Sequence, residues 1–200
     1  MTGNKKKYRW IKLAIILVFL LCLGGAALRF LPFPWYVHEE LPMAYFQSAD
    51  DVDYETGLME VNGWMLCYLF KPDRFYGTVE TIMEKATFGH REYKAKMTIT
   101  FDKEPVPDQK LAKGWRYVHI DKIDCDGDIQ SFINYWYDEN RSPIIKGRFK
   151  GVVLQQTYSR STGDLLHELC VCPGTSAWTG QKTWEDFLKE NPSYPVLPLE

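Results

Sequence analysis

Residues 94–102 read Lys-Ala-Lys-Met-Thr-Ile-Thr-Phe-Asp. Ala95, Met97, Ile99 and Phe101 alternate with Lys94, Lys96, Thr98, Thr100 and Asp102. Period two is the pattern of a strand with one dry face and one wet face, as antiparallel sheets have. The neighbouring segments repeat the theme. Leu58–Phe70 and Gly114–Ile123 are rich in aromatic and β-branched residues, which favour pleated backbone. Asp126-Gly127 sits between Ile120–Cys125 and Ile129–Tyr137 and predicts a two-residue hairpin. Thr162-Gly163 separates Gly151–Tyr158 from Leu165–Val171 and predicts a second. Ile145, Phe149 and Val153 alternate with Lys146, Arg148 and Lys150, so one strand is expected there, with Gly147 and Gly151 as bend points of a curled sheet.

Helical periodicity is expected twice. Val79, Ile82, Met83 and Ala86 fall on one face of a helix. Thr183 and Asp186 form a capping-box pattern ahead of Trp184, Phe187 and Leu188, and Asn191-Pro192 stops that helix. Pro195 and Pro198 then make an extended tail.

The N-terminus obeys a different rule. Leu13–Leu28 reads LAIILVFLLCLGGAAL and carries no polar stripe. With its flanks, Trp10–Leu31 spans about 33 Å as a helix, against a bilayer core of about 30 Å. Its ten Leu, Ile, Val and Phe residues contribute roughly −3 to −6 kcal/mol to insertion. Lys12 and Arg29 mark its ends, and Tyr8 and Trp10 on one side with Phe33, Trp35 and Tyr36 on the other suit the two interfacial belts. Five cations precede the apolar run, so the N-terminus is expected in the cytoplasm. A basic start, a short apolar core and Gly24–Ala27 also fit a cleavable signal peptide followed by secretion. The apolar continuation through Leu28, Phe30 and Leu31 favours an uncleaved signal anchor. Cys22 lacks the small preceding residues of a lipidation site.

The expected organisation is a basic cytoplasmic tail (1–12), a transmembrane signal anchor (13–31), a Pro/aromatic juxtamembrane segment (32–46) and an extracytoplasmic β-rich domain (47–200). The fold class is α+β: a transmembrane helix, then one mainly antiparallel sheet curling toward a barrel, with one or two short helices.

Composition bounds the function. The chain has 200 residues, 46% hydrophobic and 25% charged, which excludes disordered and low-complexity classes. Of 24 basic residues, six lie in 1–31 with no acid, leaving residues 32–200 with 18 basic against 26 acidic groups. A domain at −8 is a poor partner for nucleic acid.

Catalytic patterns fail one after another. Gly174-Thr175-Ser176-Ala177-Trp178 puts Trp where a nucleophile elbow needs Gly, and no phosphate-binding Gly loop occurs. His119 and Asp121, with Trp115 and Tyr117 in the same row, are the candidate acid/base pair. His167, Cys170 and Cys172 have metal-like spacing, but a strand turns His167 away from the two thiols. Asp124–Asp128 fails the calcium-loop register, and Asp50, Asp51 and Asp53 read as a solvated turn. No metal and no cofactor are expected. Cys67, Cys125, Cys170 and Cys172 permit disulfides outside the cytoplasm, with direct pairing of Cys170 to Cys172 disfavoured by strand spacing. Asn140-Arg141-Ser142 is a sequon hindered by Pro143. Lys94 and Lys96, like Lys146, Arg148 and Lys150, are read as strand cations that discourage edge-to-edge pairing, with a local anionic contact such as a lipid headgroup or wall polymer as the alternative. Phe132, Tyr135 and Trp136 lie on a run apolar on both faces and are the candidate binding residues.

The expected function is a single-pass, membrane-anchored binding or interaction domain for a protein or small molecule outside the cytoplasm. The alternatives are an extracytoplasmic hydrolase without a local motif, and a small-molecule or lipid carrier.

Overall fold

The computed structural model describes residues 3–46, 54–83, 91–101, 111–125, 143–159 and 165–194. A long helix α1 (Gly3–Phe30) is followed by β1 (Phe33–Phe46), β2 (Tyr54–Cys67), β3 (Asp73–Met83), β4 (Arg91–Phe101) and β5 (Trp115–Cys125). β6 (Ile144–Lys146), β7 (Gly151–Ser159), β8 (Leu165–Cys172) and α2 (Ala177–Glu190) complete the described elements. All strand pairs are antiparallel neighbours in chain order, and β8 returns to β1 to close a barrel. The seam is short: only Ala44–Phe46 pair with Leu169–Val171.

The alternating pattern does what it promised. Ala95, Met97, Ile99 and Phe101 are buried inside the barrel while Lys94 and Lys96 face water. An eight-stranded barrel is just wide enough for side chains to fill its axis. Here Met43, Met59, Met65 and Met97 join Phe75, Phe101 and Phe149 in one buried cluster. Flexible thioethers fit the uneven space between rings. At Thr98/Ile99 a bulge shifts the β4–β5 register by one, adding local twist.

Two close approaches need glycine. Gly63 and Gly77 face each other across β2–β3, and a Cβ on either would run into the opposing backbone and the Phe75 ring. Gly180 of α2 rests on Ala44 and Phe46 of β1, with no room for a side chain.

Four expectations are corrected. Val79–Met83 is the end of β3, not a helix: Val79 and Thr81 point into the barrel at period two, and Ala86 lies outside the described residues. β-branched crowding in Thr78-Val79, Thr81 and Ile82 opposes helix and favours strand. The single strand expected across 145–153 is a hairpin, β6–turn–β7. Gly147 (φ 59°) and Phe149 (φ 61°) both take left-handed backbone there. For Phe149 that conformation costs about 1–2 kcal/mol. Burying its ring between Phe75 (4.8 Å) and Phe101 (5.8 Å) offsets it.

The C-terminal helix starts six residues before Thr183, at Ala177, capped by Ser176 with Thr179 reciprocating. Thr183 lies mid-helix and its Oγ1 donates to the Pro173 carbonyl at 2.7 Å. Finally, the Pro/aromatic juxtamembrane segment expected over 32–46 is, from Phe33 on, the first strand of the sheet, with Pro34 and Pro42 accommodated in β1. Opposite β2, β1 is paired with β8 only from Ala44, so Pro42 costs no ladder bond there; its carbonyl accepts from Gly174 N–H at 2.7 Å. The expected hairpin turns at Asp126-Gly127 and Thr162-Gly163, the run Ile129–Tyr137, the Asp50–Asp53 cluster and the sequon lie outside the described residues.

Candidate functional site

Register decides what the outside of this barrel presents. On the outer face of β1–β3, Tyr36 pairs with Trp64, and Trp64 with Tyr76. The three form a cross-strand aromatic ladder, 51%, 51% and 39% exposed. Tyr36 and Trp64 meet edge to face at 5.2 Å, the geometry that ring quadrupoles prefer. The Tyr36 hydroxyl donates to Asn62 Oδ1, which locks the first ring in place.

Parallel rows flank the ladder. Toward the start of β1 lie Pro34, Leu66, Arg74, Thr100 and His119. On the far side come His38, Asn62, Thr78 and Lys96, then Glu40, Glu60, Glu80 and Lys94. The outer face therefore grades along the strands from apolar and cationic, through aromatic, to acidic. Arg74 Nη1 donates to the Tyr76 hydroxyl at 3.5 Å. That hydrogen bond, with a smaller pull from Asp121, pushes the Arg74 guanidinium further up, so it is a fixed cation.

The candidate acid/base pair borders this surface. His119 and Asp121 are both exposed on β5, and Thr100 Oγ1 donates to Asp121 Oδ2 at 2.6 Å. Asp121 is the extra residue of the β5 bulge, and the two still share the outer face, with Thr100 standing opposite His119 and bonded to Asp121. Trp115 and Tyr117 are separated from them by burial beneath α2. Neither His119 nor Asp121 lines the cleft beside α2 or the one at the end of α1.

A smaller cleft of about 210 Å³ lies between α2 and the barrel, lined among others by Trp115, Lys146, Thr183 and Glu190. Two of its charges, Lys146 and Glu190, pair with each other. Glu190 accepts from the Trp115 indole at 2.7 Å and from Lys146 at 3.1 Å, and these bonds hold its carboxyl below the usual range. The strand cations are similarly engaged. Lys94 pairs with Glu80, Lys150 with Glu39 at 2.6 Å, and Arg148 stacks 3.7 Å over Trp35.

Cys170 and Cys172 face the barrel interior and Cys67 packs against the same cluster; all three are free thiols. Burial, reinforced by hydrogen bonding with Cys170, pushes the Cys172 thiol well up. Neither is poised for nucleophilic chemistry. The side chains of Cys125 and His167, and Phe132, Tyr135 and Trp136, lie outside the description. Among the described residues no three His, Cys, Asp or Glu side chains converge on a metal-sized site.

No protein-family model, curated protein or solved structure matches this chain. Sequence reasoning missed the ladder because its members are 28 and 12 residues apart. The antiparallel registers of β1 with β2 and of β2 with β3 are what pair them.

Proposed function

We propose that the chain is a single-pass membrane-anchored binding protein that recognises a protein partner through the Tyr36–Trp64–Tyr76 face. α1 anchors it with the N-terminus in the cytoplasm, and the barrel projects on the other side. The anchor rests on the length and apolarity of Tyr8–Ala27, none of which is buried against the rest of the molecule. Orientation rests on the cations that precede it.

The carrying observation is the bare aromatic ladder. Tyr and Trp with a nearby Arg are the residue types that dominate protein–protein binding energy. The packed barrel axis favours recognition on the surface over carriage inside. At about 3.3 Å per residue, Tyr36 stands roughly 10 Å beyond the start of β1, so a partner would lie close to the bilayer.

Full-length protein in native membranes, carrying a photo-crosslinker at Trp64 or at Trp178, tests the reading. A discrete adduct from position 64 and none from position 178 is expected. The purified partner should then bind Trp64→Ala about tenfold more weakly or worse. Identical adducts from both positions, or unchanged affinity, overturn it. Protease protection of a C-terminal tag in sealed cells would overturn the orientation.

A further inference from the structure

A second cleft, of about 560 Å³, lies where α1 ends, lined by Gly25, Ala26, Arg29, Phe30, Phe70 and Lys71. Two elements face each other across it: the last turn of α1 and the β2–β3 loop. Each lends a cation to the other's ring. Arg29 lies 6.0 Å over Phe70, and Lys71 lies 5.2 Å over Phe30. Among the described residues no carboxylate pairs with either cation. This contrasts with Lys94, Lys146 and Lys150, which all have acidic partners.

We infer that this cleft binds the phosphodiester of an anionic glycerophospholipid in the leaflet from which the barrel emerges. The inference rests on the anchor reading above. Arg29 stands two residues past the apolar stretch Tyr8–Ala27, which puts the two cations at headgroup depth. A guanidinium fork and a neighbouring ammonium satisfy a phosphate's oxygens and leave one positive charge over. That surplus favours a headgroup without its own ammonium. Below the cations, a Cβ built on Gly24 or Gly25 meets nothing within 4 Å, so an acyl chain has open space along the helix.

The loop side is held in place. Asp73 accepts from Tyr68 N–H at 2.8 Å and from Arg116 at 2.5 Å, fixing both ends of the turn that presents Leu69, Phe70 and Lys71. Leu69 and Phe70 are nevertheless 55% and 70% exposed, costly in water and suited to the interface. The polarity gradient on the outer face agrees. Its cationic row, with Arg74, is nearest this end, and its glutamate row, with Glu40 and Glu60, is farthest.

Native mass spectrometry of the full chain released from nanodiscs reads the site directly. With equal phosphatidylglycerol and phosphatidylcholine offered, retention of one phosphatidylglycerol at about tenfold preference is expected. Arg29→Gln with Lys71→Gln should abolish the preference. Gly25→Leu, which keeps both charges and fills the cleft, should lower retention of phosphatidylglycerol as well. A circular-dichroism melt that matches wild type confirms that each variant is folded. Equal retention of both lipids, or no effect of Gly25→Leu, overturns the site. Displacement by millimolar inorganic phosphate or glycerophosphoglycerol would overturn the lipid in favour of a soluble phosphate. Release of the chain from membranes by alkaline carbonate would instead sink the anchor reading itself.

Discussion

The barrel has two kinds of outer surface, and they were treated oppositely. On the β5–β8 side, Trp115, Tyr117, Ile144, Val153, Leu169 and Val171 point outward and are buried. Their cover is α2, whose Trp184 and Phe187 close over them. On the β1–β3 side, Tyr36, Trp64 and Tyr76 point outward with comparable aromatic area and stay exposed. One apolar outer face is completed by the chain itself; among the described residues nothing covers the other, which is amphipathic, with hydroxyls, an indole N–H and Arg74 at its margins. The difference teaches that outward aromatics are not by themselves a binding signal. What distinguishes the two is whether the same chain supplies a lid.

The largest effect should come from the covered side. Phe187 is 1% exposed and packs against Trp115 (4.9 Å), Trp184 (5.4 Å) and Tyr194 (5.1 Å). Phe187→Ala should cost about 3–5 kcal/mol in denaturant unfolding of the detergent-solubilised chain. Next is the seat of α2. Gly180→Val drives a side chain into Ala44 and Phe46, and roughly 2 kcal/mol should be lost, with Ala44→Gly restoring part of it. On the bare side Trp64→Ala should move stability by less than about 1 kcal/mol. A large loss there would mean that the ladder is structural and the two faces are alike.

The smallest effect concerns pH. Glu190 is held below its ordinary value by Trp115 and then by Lys146. A carboxylate depressed in the folded state contributes stability above its unfolded pKa, about 4.3, and loses it as pH falls through the lower folded value. Acid titration of Glu190→Gln should therefore show a flatter limb below about pH 4.3 than wild type. An identical limb would mean that the Trp115–Glu190 bond does nothing to hold the lid.

Much of the architecture was legible because a period of two needs only local sequence. The residues 94–102 and the apolar run at 13–28 each declare their environment residue by residue. Failures occurred where a local pattern fits two structures. Val79, Ile82 and Met83 satisfy helical spacing by coincidence while Phe75, Val79 and Thr81 serve the strand. The spacing of four between Ile145, Phe149 and Val153 suits a straight strand as well as a tight hairpin. Pro34 and Pro42 argued for a juxtamembrane segment outside the sheet because their tolerance depends on where the β8 pairing starts, a tertiary fact. The aromatic ladder was the least legible feature. It exists only once the β1–β2 and β2–β3 registers have been fixed, and neither connecting sequence, 47–53 or 68–72, carries a strong turn dipeptide.

Only Leu31 and Pro32 separate the end of α1 from the start of β1, and the Leu31 N–H still bonds back to the Ala27 carbonyl at 2.8 Å. With α1 in a bilayer, the barrel therefore has no tether on which to swing. On that reading, what it could meet would lie within a thin shell beside the lipid, at a height set by the chain itself.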